Sequence, residues 1–351
     1  VKEEQAQSAD LVLDHVTSIL SEAAEGRDSE EWELAYYALR AFAKLCEALP
    51  AVGLNKSNEP LWAAVRGCLF FPHQWVKLTA ATAVGVYLRD FLTSNVKSGF
   101  STLPLSGSGG LVLEADSARS LISSTLRMLR VPGVSEELCA QAIRDLVMLG
   151  RLCAASNLQW RGNHTSAPEA EEDGDELSDD EISAKTALQY IFERLSNIIR
   201  HESAVNKAAA LFPKTASLHL IATLCNPLPV ETLKPCLTAI LQPLNHLTDP
   251  AILPPHSTDA TFRTGYEALQ GTAQEILALL QKRMGTTEFI NEKAKVEKAV
   301  RERREERRVK RRLEAVSDPV RDGERKRRKH EAAKVRRKEK SAEERGKRRG
   351  W

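Results

Sequence analysis

An all-α fold of the HEAT or armadillo type, an α-solenoid with a long basic C-terminal helix and an extended tail, follows from three properties of this 351-residue chain. Only 5% of its residues are aromatic while alanine and leucine abound, which favours helix-on-helix packing over sheets of aromatic and β-branched residues. Apolar residues recur at three- and four-residue steps in one segment after another. The segments also pair in tandem with a period of about 40 residues, so that each helical pair covers its neighbour's open face, although no strict residue-level repeat is present. Helical repeats are accordingly expected over 1–160 and 182–290, an acidic insert over 161–181, and a basic helix and tail over 291–351.

The first helix is expected to carry Leu11, Val12, His15, Val16, Ile19, Leu20 and Ala23 as its stripe and to end at Gly26. Asp28 and Glu31 form a candidate capping box before a second, with Trp32, Ala35, Tyr36, Leu39, Phe42, Cys46 and Leu49 on one face. Pro50 and Gly53 close it. Asn58 and Pro60 open a third helix through Trp62, Val65 and Leu69. A long fourth follows, its apolar face made of Val76, Ala80, Ala83, Val84, Tyr87 and Leu88. The Ser/Gly-rich stretch SGFSTLPLSGSGG then reads as a flexible loop; its glycines lack a following Gly-Lys-Ser/Thr, so it does not cradle phosphate. Helices around 115–131 and 135–157 complete the first half.

After the insert, three more helices run through SAKTALQYIFERLSNIIRHES, FPKTASLHLIATLCN and PVETLKPCLTAILQPLNHLTD, with Pro235 and Pro243 bending a helix or marking its first turn. Phe262, Tyr266, Leu269, Ala273, Ile276, Leu277 and Leu280 define the buried face of a helix from about 258 to 283, which ends the stack.

Chemistry is sparse. The six cysteines (Cys46, Cys68, Cys139, Cys153, Cys225, Cys236) have no C-x-x-C pair and fit a reduced intracellular compartment. Histidines are scattered, and His201-Glu202 lacks the second histidine of a zinc motif. His15 and His219 lie near apolar faces as packed side chains, and Trp32, Trp62 and Trp75 fall on core-like positions. No nucleophile elbow, Walker motif or kinase signature is present, so neither an enzyme, a cofactor nor a small-molecule substrate is expected. Asn163-His164-Thr165 matches a glycosylation sequon, but no signal-like start or membrane-length apolar run supports export or spanning. The start at Val1, without a methionine, reads as a fragment or a processed product.

Charge is divided unevenly. The chain holds 50 Lys plus Arg and 48 Asp plus Glu; residues 291–351 take 26 and 13 of these, leaving 24 and 35 for the remainder. A basic end of net +13 on a body of net −11 calls for a polyanionic or acidic partner. Within 168–181, nine acids and no base predict an unfolded surface segment. Ser178 precedes Asp179-Asp180-Glu181 as an acid-directed phosphorylation candidate; the insert also reads as solubilising, or as a mask over the basic tail that RNA displaces.

Residues 287–316 are strong helix formers with Glu297–Arg301 and Glu306–Lys310 at favourable spacing, stopped by Asp318-Pro319. No hydrophobic seam marks a coiled coil. In 321–349, 15 Lys plus Arg against six acids exceed what a solvated surface helix needs, and ordering against phosphate is expected. The RNA-contact candidates are Arg307, Arg308, Lys310, Arg311, Arg312, Arg325, Lys326, Arg327, Arg328 and Lys329. No stacking aromatics accompany them. Lys310-Arg311-Arg312, a twelve-residue spacer and Arg325-Lys326-Arg327-Arg328-Lys329 also have the layout of a bipartite import signal.

The text GTTEFINEKAKVEKAVRERREERRVKRRLEAVSDPVRDGERKRRKHEAAKVRRKEK, with Gly-Thr-Thr before Phe289 and the Ala-Val-x-Asp-Pro turn at Ala315 to Pro319, resembles the C-terminal end of the small-subunit processome component 20 family. PVETLKPCLTAILQPLNHLTD is similar to that family's penultimate repeat, so the resemblance covers roughly the last 130 residues. It implies a non-catalytic nucleolar HEAT-repeat scaffold that joins the U3 small nucleolar ribonucleoprotein, pre-ribosomal RNA and other assembly proteins in maturation of 18S rRNA. No role carries over from it to the acidic insert. A nuclear helical scaffold or import-related protein, whose tail serves only transport or chromatin contact, is the alternative.

Overall fold

The computed structural model describes residues 2–24, 32–96, 103–131, 134–160, 185–200, 211–249 and 260–320, with 323–324, 326–328, 330–331, 334–335 and 338. The described residues are overwhelmingly helical, and the chain divides into two compact units, Val1–Ile290 and Asn291–Trp351.

The first unit contains α1 (Lys2–Ala24), α2 (Trp32–Ala48), the short α3 (Pro50–Gly53), α4 (Glu59–Cys68), α5 (Gln74–Val96), α6 (Ala115–Met128), α7 (Glu136–Ser156), α8 (Ala187–Arg200), α9 (Phe212–Cys225), the short α10 (Val230–Leu233), α11 (Leu237–Thr248) and α12 (Ala260–Met284). Helix α13 (Thr286–Ser317) starts in its last residues. Two series of neighbours run through the unit. In one, α2 packs on α5, α5 on α7, α7 on α9 and α9 on α12; in the other, α1 packs on α4, α6 on α8 and α8 on α11. Cross-packing of α1 on α2, α4 on α5, α6 on α7, α8 on α9 and α11 on α12 ties the two together.

Periodicity predicts most inward faces. Val76, Ala80, Ala83, Val84, Tyr87 and Leu88 are all buried on α5, as are Phe262, Tyr266, Leu269, Ala273, Ile276 and Leu280 on α12, with Leu277 half-buried. At the centre, Trp62 lies between Phe42 (4.9 Å between ring centroids) and Tyr87 (4.8 Å), and Tyr87 continues to Phe91 (4.6 Å). Trp62 Nε1 donates to the Gly53 carbonyl at 3.2 Å, so the indole is buried without losing its hydrogen bond. Between α5 and α7, a Cβ on Gly85 would stand 2.9 Å from Asp145 Oδ1 and from Gln141 Nε2, so a larger residue would have to displace the ends of those two side chains.

Several expectations need correction. Among the described side chains of α1, Leu13, Val16 and Leu20 are buried, while Leu11, Val12 and His15 are exposed. Two adjacent apolar stripes were available there, and α2 and α4 cover only one. His219 is also exposed rather than packed, and Leu49 stands 46% exposed beyond the last turn of α2. Trp32 is half-buried and Trp75 is 57% exposed, leaving Trp62 as the one core indole of the three. The Asp28–Glu31 capping box lies outside the described residues.

The Ser/Gly-rich stretch also differs from its reading as a flexible loop. Its described part forms an antiparallel pair, β1 (Leu105–Ser106) with β2 (Val112–Leu113). Leu105, Leu111 and Leu113 are each at most 1% exposed, and that apolar burial is what orders the segment. Ser108 and Gly109 make the tip and Gly110, at φ 80°, closes it by donating to the Gly107 carbonyl at 3.2 Å, while Ser108 N donates to Asp90 Oδ2 at 2.8 Å and fastens the turn to α5. A second pair, β3 (Gln159–Trp160) with β4 (Lys185–Thr186), draws together the two sides of the insert, which lies outside the described residues.

The prolines behave as helix punctuation. Pro235 sits in a 3-10 turn, Lys234–Cys236, between α10 and α11, and Pro243 is buried inside α11. All six cysteines are free and buried, and burial pushes five of the thiols up to about 12 and Cys139 to about 11. They behave as small apolar side chains rather than nucleophiles.

Candidate nucleic-acid interface

The second unit is built on the greater part of α13, 32 residues long in all, which ends before Asp318-Pro319. Proline's ring disfavours helical dihedrals in the residue before it, which explains the stop. Its strong helix formers need no apolar face to explain the helix: Glu292 meets Lys295 at 2.6 Å and Lys298 meets Glu302 at 3.8 Å along it. Beyond Pro319 an extended tail is expected, but the described residues up to 338 are helical. Lys, Arg, Glu and Ala all favour helix, and interspersed Glu324 and Glu331 relieve the repulsion among the cations.

Of the ten sequence-predicted contact residues, Arg308, Lys310, Arg312, Lys326, Arg327 and Arg328 are exposed, the first three along one continuous helix. Arg307 and Arg311 lie on the α13 backbone, with side chains outside the described residues; Arg325, Lys329 and Ser178 lie wholly outside them. Successive residues on a helix point about 100° apart, so these cations surround the rod rather than converge on a pocket. Such an array offers charge without selecting a base. Sequence reading passed over one feature here: Val309, Leu313 and Val316, at i, i+4 and i+7, are 53%, 65% and 82% exposed.

At the N-terminal end of α5 the structure gathers exposed aromatics that core-like spacing did not foretell. Trp32 and His73 stack, their ring centroids 3.9 Å apart and planes 13° from parallel. Trp75 lies 5.5 Å from Trp32 and 5.9 Å from His73, nearly perpendicular to both, so it stands beside the stack rather than on it. Tyr36 is 6.0 Å from Trp75 and 5.2 Å from Tyr37, which is 60% exposed. Across the same connection, Arg127 of α6 lies over the ring of Phe70, 5.6 Å from its centroid, and Phe70 is 52% exposed. The signal was legible: Trp75 shares its helical stripe with Thr79 and Thr82, and Tyr37 shares one with Arg40 and Lys44, both polar faces.

Among the described residues no group of three His, Cys, Asp or Glu is placed to hold a metal, and no helix is long and apolar enough to cross a membrane.

The first unit is a set of mutually packed helices, and the second presents exposed cations along a helix. Over residues 74–343 the chain matches the family described as small subunit processome component 20 homolog, C-terminal, and it belongs to that family. It is 25% identical over 329 residues to the U3 small nucleolar RNA-associated protein 20 of Saccharomyces cerevisiae, covering 94% of this chain and 12% of that protein. To the protein of the same name from Schizosaccharomyces pombe it is 27% identical over 295 residues, 83% of this chain and 10% of that one. The chain thus spans about a tenth of the length of these relatives, and matches the C-terminal part of the family.

Proposed function

We propose that this chain is a C-terminal segment of a non-catalytic, HEAT-like α-solenoid scaffold of the small-subunit processome, acting in the nucleolus in 18S rRNA maturation. The paired series of packed helices support a solenoid, because each helix row extends by adding a neighbour rather than by closing on itself. Family membership and the names of the relatives support ribosome assembly, with pre-rRNA or snoRNA and other assembly proteins as partners.

One observation carries the RNA contact: Arg308, Lys310, Arg312, Lys326, Arg327 and Arg328 are exposed on a stretch, 301–338, in which no described side chain is buried. Cations of this kind neutralise phosphates and release condensed counterions, an interaction that is strong at low salt and indifferent to sequence. Arg307, Arg311, Arg325 and Lys329 belong to the same proposed contact. Lys310-Arg311-Arg312 with residues 325–329 also favours nuclear import; the rival reading assigns the tail to import or chromatin contact alone.

Crosslinking of the protein to RNA in cells separates the two readings. Residues 291–351 are deleted and replaced by an unrelated import signal; loss of rRNA and snoRNA crosslinks is expected. Unchanged crosslinks with normal nuclear entry would leave the tail with transport alone.

A further inference from the structure

The exposed aromatics around the α4–α5 connection lie in a region unusual for its charge as well as its rings. From Pro60 to Arg89 the sequence has no Asp or Glu, and from Ser117 to Ser135, which includes most of α6, it again has none. The body as a whole carries more acids than bases, so both stretches run against their surroundings. Within residues 32–46 of α2, Glu33 is the one acid.

Cations occupy the places left free of acids. Arg40 donates to the Tyr36 hydroxyl at 3.5 Å, and Arg127 lies over Phe70. Lys77 sits close enough to Arg127 that, after burial, the Arg127 charge lowers its ammonium pKa. Like charges held close favour an incoming anion, although acids flank the region: Glu33 lies one helical turn before Tyr37, and Glu136 and Glu137 of α7 lie beside Leu78 and Thr82 of α5. The rings supply a complementary feature: Trp75 and Tyr37 are 57% and 60% exposed, and Trp75 is braced from the side by the Trp32–His73 stack and by Tyr36. Phe70 and Trp75 are five residues apart, so their Cα atoms lie within about 18 Å, a span that one short strand can bridge.

We infer that this surface, formed by α2, the start of α5 and the end of α6, is a second RNA contact that takes unpaired bases by stacking on Trp75 and Tyr37 while Arg40, Lys77 and Arg127 meet the flanking phosphates. Flat aromatic faces with cations beside them are what binding of single strands requires, since every base has a face to stack and every link carries a charge. A protein partner would also use exposed tryptophan, tyrosine and arginine. Arg40 at the Tyr36 hydroxyl and Arg127 over the Phe70 ring set cations beside the aromatic faces, which favours the polyanion. This contact goes beyond the tail reading and stands whether or not the tail binds RNA. Its discrimination is of another kind: stacking selects single strands over duplex and resists salt, whereas the tail's cations do neither.

The test uses the whole chain, a fluorescent oligouridine and a labelled RNA duplex, at a salt concentration raised until duplex binding is lost. Under that condition Trp75→Ala is expected to weaken oligouridine binding about tenfold or more, with a smaller loss for Tyr37→Ala and retention of most affinity in Trp75→Phe. Arg40→Glu is expected to weaken it as well. Because both rings are exposed, unchanged thermal melting should show that each variant is folded. Ultraviolet crosslinking to the same oligonucleotide, read by mass spectrometry, should place adducts on the peptide bearing Trp75. Oligouridine binding unaltered in a Trp75→Ala, Tyr37→Ala double variant, or adducts confined to residues 291–351, would overturn the inference. So would loss of an assembly protein from that double variant while its RNA binding persists, since the surface would then be a protein-docking site.

Discussion

Helices α5 and α13 both lack a sharp division into apolar and polar faces, for opposite reasons. On α5 burial extends around most of the rod: Val76, Ala80, Ala81, Ala83, Val84, Val86, Tyr87, Leu88 and Phe91 are all at most 9% exposed, packed by α2, α4 and α7. On α13 from Glu302 to Arg312, every residue with a described side chain is exposed. A helix apolar all round is held by its neighbours, and a helix polar all round is held by propensity and charge spacing. The first kind sets where things are. The second kind is free to meet a partner, because no packing energy is lost when its side chains turn toward another molecule.

The largest effect that separates them is on RNA affinity and its salt dependence. Replacing Arg308, Lys310, Arg312, Lys326, Arg327 and Arg328 together by glutamine should flatten the plot of log affinity against log salt by roughly 0.7–0.9 for each phosphate no longer neutralised. Affinity at low salt should fall by several orders of magnitude. Filter binding across a salt series measures both quantities, and a slope equal to that of the unaltered chain would remove these residues from the interface.

Stability should respond in the reverse order. Trp62→Ala removes the ring between Phe42 and Tyr87 and abandons the hydrogen bond to Gly53, and a loss of about 3–5 kcal/mol is expected. Arg308→Ala, on an exposed rod, should change stability by less than about 0.5 kcal/mol. Urea denaturation of each variant gives the comparison, and equal effects would contradict the division between a packed body and a solvated rod.

These contrasts show why some of the molecule was legible in the sequence and some was not. Helical periodicity reports which side chains can share a face, and it found the inner faces of α5 and α12 because one stripe there is clearly the more apolar. On α1, Leu11 and Val12 compete with Leu13, Val16 and Leu20, and only the position of α2 and α4 settles the choice. The β1–β2 hairpin was hidden by its glycines and serines, although Leu105, Leu111 and Leu113 held the information that it packs. Basic residues in the tail could be read directly, since a charged run needs no tertiary partner to be exposed. The exposure of Trp75 and Tyr37 was legible in their polar stripes, but their gathering was not, because Trp75, His73 and Trp32 become neighbours only when α2 packs beside α5.

Asp145 gives a smaller effect with a defined pH dependence. It is 1% exposed between α5 and α7, where Gln141 Nε2 donates to its Oδ1 at 2.9 Å. Burial raises its pKa well above the ordinary carboxylate range, outweighing the Gln141 hydrogen bond and the Arg144 charge. The folded state therefore binds the proton more tightly than the unfolded one. The stabilisation from that proton is complete below the unfolded pKa near 3.9 and is lost as pH rises through the folded value. Asp145→Asn keeps an acceptor for Gln141 and cannot ionise, so at neutral pH it should raise Tm by about 2–4 °C, roughly 1 kcal/mol. The gain should vanish toward pH 4; a gain independent of pH would show that the carboxyl binds its proton equally well in the folded and unfolded chain, so that burial does not raise its pKa.

The smallest effect bears on what holds α13. Its Lys298–Glu302 pair spans 3.8 Å with side chains 76% and 56% exposed, so Glu302→Gln should cost about 0.2–0.5 kcal/mol at low salt and nothing once salt screens the pair. Circular dichroism of the whole chain, with and without residues 291–351, isolates the helical signal of the second unit. If that signal persists in high salt, propensity and spacing suffice to keep the rod in shape without a partner, and the proposed RNA contact need not supply the ordering. Collapse of the signal with screening would instead tie the rod's folding to charge pairing, with phosphate taking the place of the glutamates.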